Sequence, residues 1–208
     1  NSVLRPLSDW ERAGRVNVTT VGCDGKGCVD PDEVQAALRP DTQLVAISQA
    51  SNVTGAVQPV AEISRIAHEA GAMVLCDAAQ SVGHMPVDMQ ALGVDLLATS
   101  GHKGLLGPLG TGVLALAEGV AQKLRSVRQG GTGTRSEEPT QPDELPSKYE
   151  SGNLNVPGIL GLGAGVAYLN NRGLESIERH GAQLTERLLA GFEEIAGLRV
   201  HGPTGIER

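Results

Sequence analysis

Short apolar runs alternate along the chain with stretches in which apolar residues recur every three or four positions. That pattern predicts strands separated by helices. "RVNVTTV" (15–21) is apolar at alternate places and reads as a strand, and "DGKG" (24–27) reads as a turn. "DPDEVQAALRP" (30–40) reads as a short helix. Asp30 is its N-cap, Pro31 its first residue and Glu33 the N3 partner of a capping box, and Pro40 ends it. "TQLVAIS" (42–48) is nearly continuous in apolar residues, as a buried parallel strand requires. "VQPVAEISRIAHEAG" (57–71) puts Val60, Ile63, Ile66, Ala67 and Ala70 on one helical face, with Gly71 closing the helix as its C′ residue. "AMVLCD" (72–77) and "VDLLATS" (94–100) are two further buried strands, and "GVLALA" (112–117) is another apolar run.

Residues 128–158 break the rhythm. They are rich in Gly, Pro, Ser, Thr and charge and read as one long loop. Two helical patterns follow, "ILGLGAGVAYLNNRG" and "LESIERHGAQLTERLLAGFEEIAG", the second marked by Leu174, Ile177, Leu184, Leu188 and Ile195. "LRVHG" (198–202) reads as a strand that begins a new unit. The βα order implies right-handed crossovers and a mostly parallel sheet, an α/β fold. Ligands of such sheets bind at the carboxyl ends of the strands, here Ser48–Asn52, Asp77–Gln80 and Ser100–Lys103.

Composition narrows the classes. A chain of 208 residues, 40% hydrophobic, holds one sizeable core and part of a second domain. Twenty-eight glycines with 2% aromatic residues fit tight turns between strands and helices. A net charge of −7 without a run of Lys or Arg argues against nucleic acid or an anionic membrane as partner. No apolar run approaches the ~18–20 residues that span a bilayer. "NSVLRPLSDWERAG" lacks the apolar core of a signal peptide, and a first residue other than Met marks a fragment or a processed chain. Three cysteines, Cys23, Cys28 and Cys76, form no disulfide scaffold and fit a reducing, cytoplasmic location. Cys23 and Cys28 flank the "DGKG" turn but supply only half a zinc ligand set.

The candidate chemistry lies in "ATSGHKGLLGPLGTG" (98–112) and "LCDAAQS" (75–81). Lys103 sits at the mouth of the sheet before a glycine-rich loop, where an amine can form a Schiff base with a carbonyl. Ser100 and His102 beside it offer a hydroxyl and an imidazole to a phosphate. Asp77 ends the neighbouring strand and can hold a buried cation, or simply cap the turn that follows. A P-loop is excluded, because Lys103 precedes the glycines. "GLGAG" (161–165) follows a proline-bearing loop rather than a strand, so it reads as close helix packing and not as a dinucleotide site. A lysine, a strand-end carboxylate and a phosphate cradle together are what pyridoxal phosphate requires.

At these residues the sequence resembles the class V aminotransferase superfamily, in particular the cysteine desulfurases and selenocysteine lyases. The resemblance rests on "SNVTGAVQPV", on residues 70–114 with D-x-A-Q-S followed by S-G-H-K, and on "YESGNLNVPGILGLGAGVAYL", and it covers nearly the whole chain. It implies a fold-type I pyridoxal-phosphate-dependent large domain over 1–165 and the start of a small C-terminal domain over 166–208. Lys103 would carry the cofactor and shuttle protons. Asp77 would pair with the pyridinium nitrogen and Gln80 with the ring's phenolic oxygen. Ser100 and His102 would bind the phosphate, and Asn52 would lie near the ring hydroxyl and the substrate carboxylate. Thr132 or Thr134 would reach the phosphate of a neighbouring subunit, which implies a homodimer.

The implied reaction converts L-cysteine to L-alanine and passes sulfur to an enzyme cysteine, with a sulfur-acceptor protein as a possible further partner. None of Cys23, Cys28 and Cys76 stands at the family's nucleophile position. The family's ring-stacking histidine falls upstream of Asn1, and its carboxylate-binding arginine downstream of Arg208. Rival expectations are a selenocysteine lyase, an aminotransferase or another lyase with the same cofactor, and, from another class, a non-catalytic dimerisation or binding fragment.

Overall fold

The computed structural model describes residues 2–133, 135 and 137–205. Helix α1 spans Leu4–Arg12 and α2 spans Pro31–Ala37. Strand β1 (Leu44–Ser48), helix α3 (Val60–Glu69), and strands β2 (Met73–Asp77), β3 (Leu96–Ser100) and β4 (Gly112–Leu116) follow. Helices α4 (Val120–Lys123), α5 (Val156–Arg172) and α6 (Leu174–Glu193) complete the described elements.

The four strands form one sheet in the order β1-β2-β3-β4. β1 and β2 are parallel, as are β2 and β3, whereas β4 returns antiparallel to β3. The mostly parallel α/β expectation therefore holds. The core lies between one face of the sheet and α3. Val60, Ile63, Ile66 and Ala67 of α3 are buried, together with Val74, Cys76 and Leu97 of the strands. Burying such side chains contributes roughly 1.5–3 kcal/mol each, so this layer fixes the strand register. Asp95 ties it further: its Oδ2 accepts from Val74 N–H at 2.7 Å and lies 2.8 Å from His68 Nε2 at the end of α3.

The caps follow the sequence, except that among the described residues no bond from Glu33 back to Asp30 completes the capping box. Asp30 accepts from the Asp32 N–H at 2.9 Å, with Pro31 in the first turn. Gly71 closes α3 at φ +78°, donating to the His68 carbonyl. Asn155 caps α5 by accepting from Gly158 N–H at 3.1 Å.

Five expectations are corrected. Residues 15–21 are extended but belong to no sheet. Side chains hold them instead: Glu11 accepts from Val18 N–H, and Arg39 donates to Asn17 O and Thr19 Oγ1. Alternation alone cannot supply a partner strand. Residues 198–202 likewise form no strand. Helix α2 ends at Ala37, before Pro40, because Leu38 already turns extended at ψ 138°. Ala70 is exposed, since it is the C-cap and has left the buried face. Finally, β1 is an edge strand with both ends exposed, not a buried one. The long loop is observed among the described residues but ends at Asn155, because α5 already begins at Val156 with Pro157 in its first turn.

Candidate active site

In a parallel pair, residues in register point to the same face. Ser48 is in register with Asp77, and Asp77 with Ala98. Ser48, Asp77, Ala98 and, two residues on, Ser100 therefore share one face of the sheet at its carboxyl end. Cys76, Leu97 and Thr99 take the opposite face, and Cys76 and Leu97 there join the buried core. Asp77 and Ser100 are half-buried. Small Ala98 beside Asp77 leaves room on its face.

The turn after β2 is built on Asp77 and Ala78. Asp77 Oδ1 accepts from Ala79 N–H at 3.0 Å, while Ala78 O accepts from the N–H groups of Ser81 and Val82. The capping role weighed for Asp77 is thus real and uses one carboxylate oxygen. Beneath it, Ser81 donates its hydroxyl to Gln49 Oε1 at 2.6 Å, with both residues buried. Gln49 N–H in turn donates to Asp77 O at 2.9 Å. This buried pair locks the ends of β1 and β2 together. Nothing in the residue pattern signals it, because a Gln after a strand and a Ser in a turn are ordinary surface residues.

The turn after β3 is closed by backbone. Gly101 N–H donates to Thr111 O, Gly107 N–H to Gly101 O and Leu106 N–H to Lys103 O. Leu106 takes the left-handed conformation at φ +59°, which is costly for a branched side chain. Lys103 is half-buried, and its Nζ makes no hydrogen bond or ion pair among the described residues. His102 is exposed.

Glycine brings the two turns together. A Cβ on Gly83 would overlap the Gly104 carbonyl, and one on Gly104 would overlap the Val82 carbonyl and crowd the His84 ring at 2.9 Å. The Asp77–Gln80 and Ser100–Lys103 segments are therefore held side by side by backbone contact. His84, packed over the residue after Lys103, was not anticipated from the sequence. Helix α5 buttresses the loop from behind: a Cβ on Gly161 would meet Pro108, and one on Gly165 the Leu105 carbonyl. "GLGAG" is thus close helix packing, as expected.

Asn52 lies exposed on the turn beyond β1, where Ser51 Oγ accepts from Val53 and Thr54 N–H. Gln80 is half-buried. Thr132 is half-buried in the long loop, whose neighbouring Gly131 carbonyl accepts from Gly152 N–H at 2.6 Å. That contact ties the segment to another part of the same loop. Thr134 lies outside the described residues.

The arrangement fits pyridoxal phosphate by its donor set. It offers an unpaired amine, a carboxylate with one oxygen uncommitted, and the hydroxyl of Ser100 and ring of His102, neither engaged among the described residues. The described residues contain no group of three His, Cys, Asp or Glu side chains that could hold a metal ion. Nor do they include a helix long and apolar enough to cross a membrane.

Comparison with known proteins bears on the family and the fold. The family model described as aminotransferase class V matches residues 1–208. A probable cysteine desulfurase of Methanothermobacter thermautotrophicus is 44% identical over 190 residues, covering 90% of this chain and 47% of that protein. The apo structure of a cysteine desulfurase from Thermococcus onnurineus NA1 superposes with a TM-score of 0.76 at 31% identity, covering 95% of this chain and 52% of that one. A structure of SspA in complex with cysteine gives a TM-score of 0.69 at 30% identity, covering 80% of this chain and 44% of that one. The chain thus spans about half the length of the proteins it matches. Sheet, strand-end residues and matched length together identify it as a member of the class V aminotransferase family.

Proposed function

We propose that this chain carries the cofactor-holding residues of a pyridoxal-phosphate-dependent cysteine desulfurase, which converts L-cysteine to L-alanine and transfers the sulfur to a cysteine thiol. The observation that carries the reading is the placement of Asp77 and Lys103 on neighbouring strand-end segments that Gly83 and Gly104 hold in contact. The matched relatives named as cysteine desulfurases, and the neighbour in complex with cysteine, support the substrate.

When bound, pyridoxal phosphate supplies an electron sink for charge that develops at the substrate Cα. Lys103 Nζ would hold the cofactor and would move the proton at that Cα. The Asp77 carboxylate would keep the pyridine nitrogen protonated. Its remaining hydrogen bond, from Ala79 N–H, orients it for that task. Gln80 would donate to the ring's phenolic oxygen, and Asn52 would lie near the ring hydroxyl and the substrate carboxylate. Ser100 and His102 would bind the phosphate, and Thr132 or Thr134 would serve the phosphate of the second subunit of a homodimer.

Cys76 does not supply the accepting thiol. Cys76 is fully buried, and burial pushes its thiol up to about 11, with the Asp77 charge adding to the effect. Such a group is neither accessible nor ionised near neutral pH. Residues 1–165 form the cofactor domain in this reading and 166–208 begin a small domain, with α5 running across the boundary. The sulfur passes onward to an acceptor protein, and the protein works in the cytoplasm.

An absorption spectrum after incubation with pyridoxal phosphate and dialysis tests the reading, beside Lys103→Ala. A visible band in the parent that borohydride fixes, absent from the variant, is expected. Cysteine added to the loaded parent, with a thiol acceptor present, should then yield alanine. A parent without the band, or a band that survives in Lys103→Ala, overturns the assignment of Lys103.

A further inference from the structure

Cys23 and Cys28 lie on the two sides of the Asp24 turn, remote in sequence from the strand-end residues. The backbone crosses between them: Asp24 N–H donates to Cys28 O at 2.9 Å. The turn is tightened by Asp24 Oδ1, which accepts from Lys26 N–H and Cys28 N–H at 2.9 and 2.8 Å. A peptide N–H leaves at nearly a right angle to the line back to the preceding Cα, so this contact sets the Cys23–Cys28 Cα separation at about 4–7 Å. Disulfides span Cα separations of about 4.4–6.8 Å. Both cysteines also line one open cavity of about 560 Å³, together with Gly22, Asp24, Val29 and Pro31. Cys23 is exposed and Cys28 half-buried, so both can be reached from solvent, unlike Cys76.

We propose that Cys23 and Cys28 form a reversible dithiol site that closes to a disulfide on reaction with a low-molecular-weight disulfide. The thiolate of one cysteine attacks a sulfur of the small disulfide RS–SR, forms a mixed disulfide and expels one RS⁻. The second cysteine, as thiolate, then attacks the protein sulfur of that mixed disulfide and expels the other RS⁻. Two protein thiols are oxidised, and the small disulfide is reduced to two RSH, which take up the two protons released.

The site is wired to the loop that carries Asn52. Gln58 Nε2 donates to Gly27 O and Gln58 Oε1 accepts from Val29 N–H, both at 2.8 Å. A Cβ on Gly27 would meet Thr54 Oγ1 at 2.8 Å, and Gly27 itself sits at φ +88°. A crosslink that reshapes residues 23–28 therefore displaces contacts with Thr54 and Gln58 and alters the turn at 51–56.

Oxidised glutathione provides the test. The full chain is incubated with it, and thiols are then counted and the intact mass and disulfide-linked peptides determined. The expected product has lost the mass of two hydrogens, keeps one free thiol and joins peptides through Cys23 and Cys28. Dithiothreitol reverses it. Cys23→Ser and Cys28→Ser each retain a stable glutathione adduct in place of the crosslink. A parent that carries one or two glutathione adducts, or that stays fully reduced, overturns the pairing. Hydrogen exchange tests the wiring: oxidation should change the exchange of the Ser51, Gly55 and Ala56 amides at least severalfold. Unchanged exchange there overturns the link to the Asn52 loop.

Discussion

Gly83 and Gly104 touch through their backbones, and that contact sets the spacing between the turn that follows Asp77 and the turn that holds Lys103. Three alanine substitutions separate the causes. Gly71 has φ +78° with open space around it, so Gly71→Ala carries only the left-handed penalty of about 1–2 kcal/mol. Gly104 has no positive φ, so Gly104→Ala reports overlap alone, about 1–3 kcal/mol. Gly83→Ala combines both and should cost about 2–5 kcal/mol. Urea midpoints give the ranking. Gly83→Ala as mild as Gly71→Ala would show that the two turns can part without loss.

The Asp95–His68 contact at the end of α3 has unequal halves. Asp95 is largely buried and serves both Val74 N–H and His68, whereas His68 is nearly half exposed. Asp95→Ala leaves the strand amide without its partner and should cost about 1–3 kcal/mol. Asp95→Asn keeps an acceptor for that amide and should recover part of the loss. His68→Gln should cost under about 1 kcal/mol, as exposed pairs do. Chemical denaturation of the three variants checks the order; a His68→Gln loss equal to that of Asp95→Ala would sink it.

Much of the site was legible because apolar runs at 42–48, 72–77 and 94–100 have nothing to be but strands, and polar residues directly after them must lie at the sheet's carboxyl edge. The same reading failed at 15–21 and 198–202, where an extended pattern exists and a hydrogen-bonded partner does not. Pattern fixes a residue's face, while pairing depends on what lies alongside. The Gln49–Ser81 lock and the packing of His84 on Gly104 were invisible for a related reason. Both join residues on different strand ends, and neither has an unusual residue type at either position.

Cys76 couples stability to alkaline pH. Its thiol is held neutral by burial and by the Asp77 carboxylate, moving from an ordinary 9.0 to about 11. Below about pH 9 the thiol is protonated in folded and unfolded chains alike, and it contributes no slope. Between about 9 and 11 the unfolded chain has lost the proton and the folded chain keeps it, so stability falls as pH rises. Two pH units correspond to roughly 2–3 kcal/mol, reached near pH 11. Unfolding free energies at pH 8 and 10.5, parent against Cys76→Ala, isolate this group. Equal losses in both proteins would mean that the buried thiol does not resist ionisation.

Asp77 has two assignments that one pair of variants can separate. Its Oδ1 accepts from Ala79 N–H, which is a structural task that needs only an oxygen. Holding a protonated pyridine nitrogen needs the negative charge. Asp77→Asn presents a carbonyl to the same amide and removes the charge; Asp77→Ala removes both. Stability should fall by about 1 kcal/mol or more in Asp77→Ala and by a few tenths in Asp77→Asn. Retention of pyridoxal phosphate should drop at least about tenfold in both, since a charge-assisted bond is lost in each. Titration of cofactor absorbance, run beside thermal unfolding, reads the two effects independently. If Asp77→Asn retains the cofactor as the parent does, the carboxylate is a turn cap alone, and the cation it was assigned must be held elsewhere.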